Sequence, residues 1–253
     1  MEFLTSYTGL SGPDILTVSA ICFAAGVVRG FTGFALSALI MAAAALIIAP
    51  VELIPMMWWL EITASLLMVR GGWADADRRI ALILIIGSAI GTPFGLWLTL
   101  SVSPDVSRLL ALAIIIALAV MQLAKIRIPA LATTTGTGVS GILAGIATGL
   151  AGVGGMVVAL YVLAQELPAR VMRATLVLFL FGSSLASFAI HTTMGTMTWE
   201  ALYRGLTFAL PVALGVIAGK LLFTPRFETY YKPACLFLLI GLAVSGIFRL
   251  MLG

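Results

Sequence analysis

The sequence predicts an all-α polytopic membrane protein built as two inverted-topology repeats. Three observations carry this. Hydrophobic residues make up 62% of the 253 and charged residues only 9%, against roughly 25% charged in a soluble domain. Mean hydropathy is +1.18, and the apolar runs are long and continuous. They lack the apolar-out, polar-in alternation of a membrane barrel, and in lipid only helices or closed barrels satisfy the backbone. Finally, the second half repeats landmarks of the first at a near-constant spacing.

Apolar stretches fall at 14–29, 33–49, 52–70, 79–101, 106–124, 136–149, 154–166, 169–190, 199–222 and 232–251. Breaks carry proline, glycine or charge at Pro50, Gly71-Gly72, Pro104, Pro168 and Pro225. Crossing a hydrocarbon core takes about 20 helical residues. The stretches at 79–101, 199–222 and 232–251 are long enough. Those at 14–29, 33–49, 136–149 and 154–166 are short, and each adjacent pair opens one half as glycine-broken helices or a re-entrant hairpin. The polar run from Lys125 to Thr135 separates the halves, giving repeats at 1–125 and 136–253 with a linker at 126–135.

Gly26, Gly30 and Gly33 each land on a glycine 119 residues later, at Gly145, Gly149 and Gly152. Pro50 and Pro104 find Pro168 and Pro225 at nearly the same spacing. About five segments per half, an odd number, set the halves in opposite orientation. Charge agrees when the N- and C-termini are placed outside. Arg70, Arg78, Arg79, Lys125, Arg127, Arg170, Arg173, Lys220, Arg226 and Lys232 then face the cytoplasm, and Arg108, Arg204 and Arg249 face out. This is the basic bias of cytoplasmic loops, and it accounts for the net charge of +4. No basic cluster with interleaved aromatics suggests nucleic acid. Met1 to Pro13 holds no Lys or Arg, so no secretory signal is expected there. Cys22 and Cys235 read as small core residues.

Inverted repeats with short, broken helices in corresponding places point to a midplane binding site in secondary transporters. A helix beginning inside the membrane presents unpaired N–H groups and the positive end of its dipole. Glycine lets an anion approach those groups. Helices are expected to start near Gly33 and near Gly154-Gly155. The candidate ligands of a small anion are Arg29, Gly30, Thr32, Gly33, Thr148, Gly149, Gly152, Gly154 and Gly155. Arg29 supplies a full charge that is costly in lipid without a function, unless it snorkels to a headgroup. Thr32 and Thr148 offer hydroxyls or bond back within their helices. Gly26 and Gly145 read as helix-packing positions. Glu61, mid-segment, is a candidate for proton coupling or for pairing with Arg29; the plain alternative is a neutral, hydrogen-bonded structural residue. Ser183, Ser184 and Ser187 are candidates for lining a path. His191, the only histidine, is expected to be solvated near a loop. Trp58, Trp59, Trp73 and Trp199 read as interface or packing residues.

The stretch Arg29-Gly30-Phe31-Thr32-Gly33-Phe34, the stretch Gly149 to Gly155 and the duplicated layout resemble the sulfite exporter (TauE/SafE) family over about residues 15–250. The first copy departs from the family's glycine-richer pattern at Ala35 and Leu36. The resemblance implies a bacterial-type inner-membrane transporter of sulfite, sulfonates or related organic anions. The resulting expectation is a non-enzymatic secondary transporter working by alternating access, with no cofactor, no metal and no catalytic residues. Its partners are a small anion and the lipid bilayer. The rivals are an anion channel, a subunit or scaffold without transport of its own and, further off, an intramembrane serine hydrolase using Gly138-Val139-Ser140-Gly141 with His191. No ATP-binding P-loop pattern is present.

Overall fold

The computed structural model describes residues 2–72, 75–126, 128–165, 168–222 and 228–252. Trp73, Arg127, Pro225 and Arg226 lie outside these. The described residues form helices and no strand: α1 (Glu2–Thr8), α2 (Gly12–Thr32), α3 (Leu36–Ala44), α4 (Pro50–Gly72), α5 (Arg78–Ser101), α6 (Pro104–Leu123), a 3-10 turn at Pro129–Ala132, α7 (Thr134–Ala151), α8 (Gly154–Ala164), α9 (Ala169–Thr193), α10 (Trp199–Leu222) and α11 (Glu228–Leu252).

Local chemistry sets the boundaries. The α2 start is capped by Ser11, which accepts from the Asp14 N–H, with Pro13 in the first turn. Asp77 caps α5 by accepting from Ile80 N–H at 3.0 Å. Ser103 precedes Pro104 at the start of α6, and Thr133 accepts from Gly136 N–H at 3.0 Å at the start of α7. Such caps satisfy orphan donors of the first turn, and proline there loses no helical bond. Among the described residues, seven helices are long and apolar enough to cross a membrane: α2, α4, α5, α6, α9, α10 and α11.

Two expectations need correction. The first stretch is not short: α2 runs 21 residues. Its glycines do not break it, because they face another helix. The second helix of that half starts at Leu36 rather than at Gly33, and has nine residues. A longer helix is followed by a short one twice, in α2/α3 and in α7/α8. Helix α1 was not foreseen.

Glycines govern the packing. A Cβ at Gly26 would lie 2.6 Å from the Val212 carbonyl oxygen, and one at Gly30 would strike that of Val216. Gly215 and Gly219 of α10 meet α2 in return. The same crossing recurs between α5 and α7, where Gly87, Gly91 and Gly95 face Gly141, Gly145 and Gly149. Small residues every fourth position let membrane helices approach backbone to backbone. On the opposite faces, α5 exposes Leu82, Ile86, Ile90, Phe94 and Trp97, and α10 exposes Leu206, Leu210, Leu214, Ile217 and Leu221. A glycine face turned inward and an apolar face turned outward suit a helix between protein and lipid. Helix α2 packs on α10, and α7 on α5. Helix α4 also packs on α9, and α6 on α11.

Candidate functional site

The two helix turns have similar backbones. Helix α2 ends on Gly33 at φ 85°, whose N–H donates to the Arg29 carbonyl at 2.9 Å. Helix α7 ends on Gly152 at φ 70°. There the Gly152 N–H donates to Thr148 O at 2.8 Å and the Val153 N–H to Ala147 O at 3.2 Å. Glycine occupies such left-handed positions without a Cβ clash. The first turn differs in placing Ala35 at φ 73° as well, a conformation that costs a residue with a Cβ. The helices that follow, α3 and α8, start without a side-chain cap.

A cleft lies between these helix starts. Ser37 of α3, Gly154 and Gly155 of α8, and Thr148 and Gly152 of the α7 end line it. One face of α4, Ile54, Met57, Trp58 and Glu61, forms a wall. One face of α9, Leu180, Ser183, Ser184, Ser187 and His191, forms the opposite wall. The two halves meet closely, since a Cβ on Gly152 would lie 3.6 Å from Ser37 Cβ.

The polar groups are held in place. Trp58 Nε1 donates to Ser184 O at 2.7 Å. The Ser183, Ser184 and Ser187 hydroxyls bond back to α9 carbonyls, and Thr148 bonds back to Ala144 O at 2.8 Å. Ser37 Oγ donates to Glu61 Oε1 at 2.7 Å. His191 is only 2% exposed, and its Nδ1 lies 2.8 Å from Thr196 Oγ1. The expected solvated histidine is therefore a buried residue of the cleft wall. The long α9 carries it inward, because its helical face continues that of Ser184 and Ser187.

Arg29 is fully buried beyond Glu61 and does not line the cleft. Its Nη1 donates to the Gly33 carbonyl. Its Nη2 reaches Ser65 Oγ at 3.2 Å and stands 3.4 Å from Glu61 Oε2. This engagement leaves Arg29 Nε and Glu61 Oε2 without hydrogen bonds. Arg29 thus does not snorkel; it ties the end of α2 to α4.

Other expected site residues stand apart from the cleft. Gly30 packs on α10 and Gly149 on α5, both against backbone. Thr32 reaches the Val28 and Phe34 carbonyls at 2.9 and 2.8 Å and finishes α2. Gly33 is covered by Arg173, whose Cγ would be 3.1 Å from a Cβ there. Arg173 Nη2 donates to Gly30 O at 2.8 Å. The structure brings together Glu61, Thr148, Gly152, Gly154, Gly155, Ser183 and Ser184. Ser37, Trp58 and Met57 are additions. A signal for the last two existed: Ile54, Met57, Trp58 and Glu61 follow the i, i+3, i+4, i+7 spacing of one helix face.

A second cavity of about 580 Å³ holds Thr196, Glu52 and Arg204. Arg204 pairs with Glu52 Oε2 at 2.5 Å and donates from Nε to Thr8 O at 2.7 Å, docking α1. The His191–Thr196 bond stands between the two cavities. Among the described residues no group of three or more His, Cys, Asp or Glu is placed to hold a metal. Ser140 is buried and does not share the cleft with His191.

Among the described residues, seven helices long and apolar enough to cross a membrane define a multi-pass membrane protein, and two of them, α4 and α9, wall the cleft. Residues 18–246 match the family described as Sulfite exporter TauE/SafE, and the chain belongs to that family of membrane transporters. No curated protein and no solved structure matches.

Proposed function

We infer that the chain is a secondary transporter for a small anion, sulfite or a short organic sulfonate, working by alternating access across a bacterial-type inner membrane. The observation that carries this is the cleft itself. Two uncapped helix starts, α3 and α8, meet at one cavity, where their N–H groups and dipoles favour an anion. Apolar Ile54, Met57 and Leu180 beside the hydroxyls suit a substrate with a short apolar part.

The exchange of partners between halves, α2 with α10 and α7 with α5, supports two inverted repeats. The basic loop bias supports N- and C-termini outside.

The test is uptake of labelled sulfite and ethanesulfonate into proteoliposomes, with wild type compared to Gly155→Leu. A Cβ at Gly155 would already meet Leu180 Cδ2 at 3.1 Å, so a leucine there fills the cleft. Saturable wild-type uptake that this variant abolishes is expected. Equal uptake by the variant would remove this cleft from the path.

A further inference from the structure

The cleft floor poses a problem of charge. Its one carboxylate, Glu61, is 14% exposed and stands between the cavity and Arg29, which has no exposure. An anion entering next to an ionised Glu61 meets a like charge, and the nearest cation is already matched. The contact between the two is loose: 3.4 Å, with no hydrogen bond to Glu61 Oε2 and none from Arg29 Nε. Glu61 Oε2 and, behind it, Arg29 Nε are thus buried polar atoms left unused beside the cavity.

We propose that Glu61 is a proton site, and that a proton and the anion bind together by exchanging the partner of Arg29. In the empty protein the guanidinium is balanced by the Glu61 carboxylate. One proton passes from the water in the cleft to the Glu61 carboxylate and neutralises it. The freed charge of Arg29 then balances the substrate anion. Ser37 keeps Glu61 Oε1 in place through its 2.7 Å bond during the exchange. When the anion leaves, Glu61 returns the proton to water on the side then open. One monoanion and one proton move together, and no net charge crosses.

The surroundings leave these two groups to each other. Helix α3 offers Glu61 only the Ser37 hydroxyl, and α7 only Thr148. From α9, His191 shares the cleft, while Arg173 is bound to Gly30 O and Arg170 to Asp75. On α10, Arg204 is paired with Glu52, and Lys220 donates to Leu67 O. On α6, Arg108 is paired with Asp105, and on α5 the titratable groups Asp77, Arg78 and Arg79 sit at the helix start. A buried cation–carboxylate pair of which one member faces a ligand cavity is a functional-site candidate in a membrane helix.

The proposal rests on the chain being an anion transporter, and the test separates the two. The probes are ethanesulfonate, which stays ionised across the working range, and sulfite. Binding to the purified full chain is read by Trp58 fluorescence, and proton uptake by an indicator in weak buffer. The expected result is uptake approaching one proton per ethanesulfonate bound near neutral pH. The Kd should weaken by up to about tenfold per pH unit as pH rises, the limit for one linked proton. Glu61→Gln should bind with a Kd independent of pH, and Arg29→Gln should not bind. Saturable binding by wild type without proton uptake overturns the proton site and leaves the transporter standing. Proton uptake that survives Glu61→Gln and is lost in His191→Gln moves the proton to His191 and overturns the assignment. No saturable binding of either probe, with no uptake into liposomes, overturns the anion reading and the proton site with it. The wild-type proton count stands even if a variant fails to fold.

Discussion

Gly145→Ala adds one methyl group at the crossing of α5 and α7. The new Cβ would strike the Ser88 carbonyl oxygen and lie 2.8 Å from both Ser88 Cα and Thr92 N of α5. Ordinary contacts of this kind begin near 3.4 Å, so α5 and α7 must part by at least about 0.6 Å. The obstructing atoms are backbone and cannot rotate away. A gap of that size forfeits roughly a quarter to a half of each dispersion contact it opens, and Gly87, Gly91, Gly141 and Gly149 share the same crossing. Overpacking of this kind costs about 1–3 kcal/mol, or roughly 2–4 °C of Tm per kcal/mol for a chain of this size. The control lies on the same helix. A Cβ at Gly138 meets nothing within 4 Å, so Gly138→Ala should gain stability from helix propensity, up to about 1 kcal/mol. Thermal unfolding in detergent, followed by tryptophan fluorescence, measures both. Equal Tm for Gly145→Ala and wild type, or a loss in Gly138→Ala as large as in Gly145→Ala, would refute the backbone-to-backbone crossing.

Three further outcomes are expected. Arg29→Met and Glu61→Leu should each destabilise by about 3 kcal/mol, because each leaves a largely buried charge unpaired. A double-mutant cycle in urea should return a coupling of about 1–3 kcal/mol. Trp58→Phe loses the 2.7 Å bond to Ser184 O and should cost about 1 kcal/mol in the same unfolding measurement. Gly33→Ala, at φ 85°, should cost about 1–2 kcal/mol; because Arg173 also crowds that position, the loss in Tm should exceed that of Gly195→Ala, which sits at φ 69° in open space.

The membrane-helical fold was legible because lipid demands long apolar runs, and these are written directly into the chain. The turns at Gly33 and Gly152 were legible too, since a left-handed end selects glycine. What one glycine means was not. Gly30 and Gly33 are three residues apart, yet one packs a helix and the other ends it. Spacing alone does not reveal that α10 carries a matching pair, Gly215 and Gly219, because the partner is more than 180 residues away. His191 was misread for a related reason. A lone histidine near a helix end looks solvated until the facing wall of α4 is known.

The two turns share a backbone and differ in their surroundings, and this difference bears on the proposed cycle. The Gly152 turn opens onto the cleft. The Gly33 turn is covered by two guanidiniums, Arg29 on its carbonyl and Arg173 on Gly30 O. In the proposed cycle, exchanging access between the turns would break contacts such as Arg173 to Gly30 and Lys220 to Leu67. Each is a hydrogen bond from a charged side chain to a carbonyl, worth about 1.5–3 kcal/mol. That is within what differential binding of a proton and an anion can supply. The glycine crossings are another matter, since their backbones touch and have no slack. In the proposed cycle α2 and α10 would therefore move as one body, and α5 and α7 as another. The motion would fall to the side-chain contacts around α4 and α9, the two helices that wall the cleft and carry Glu61 and His191.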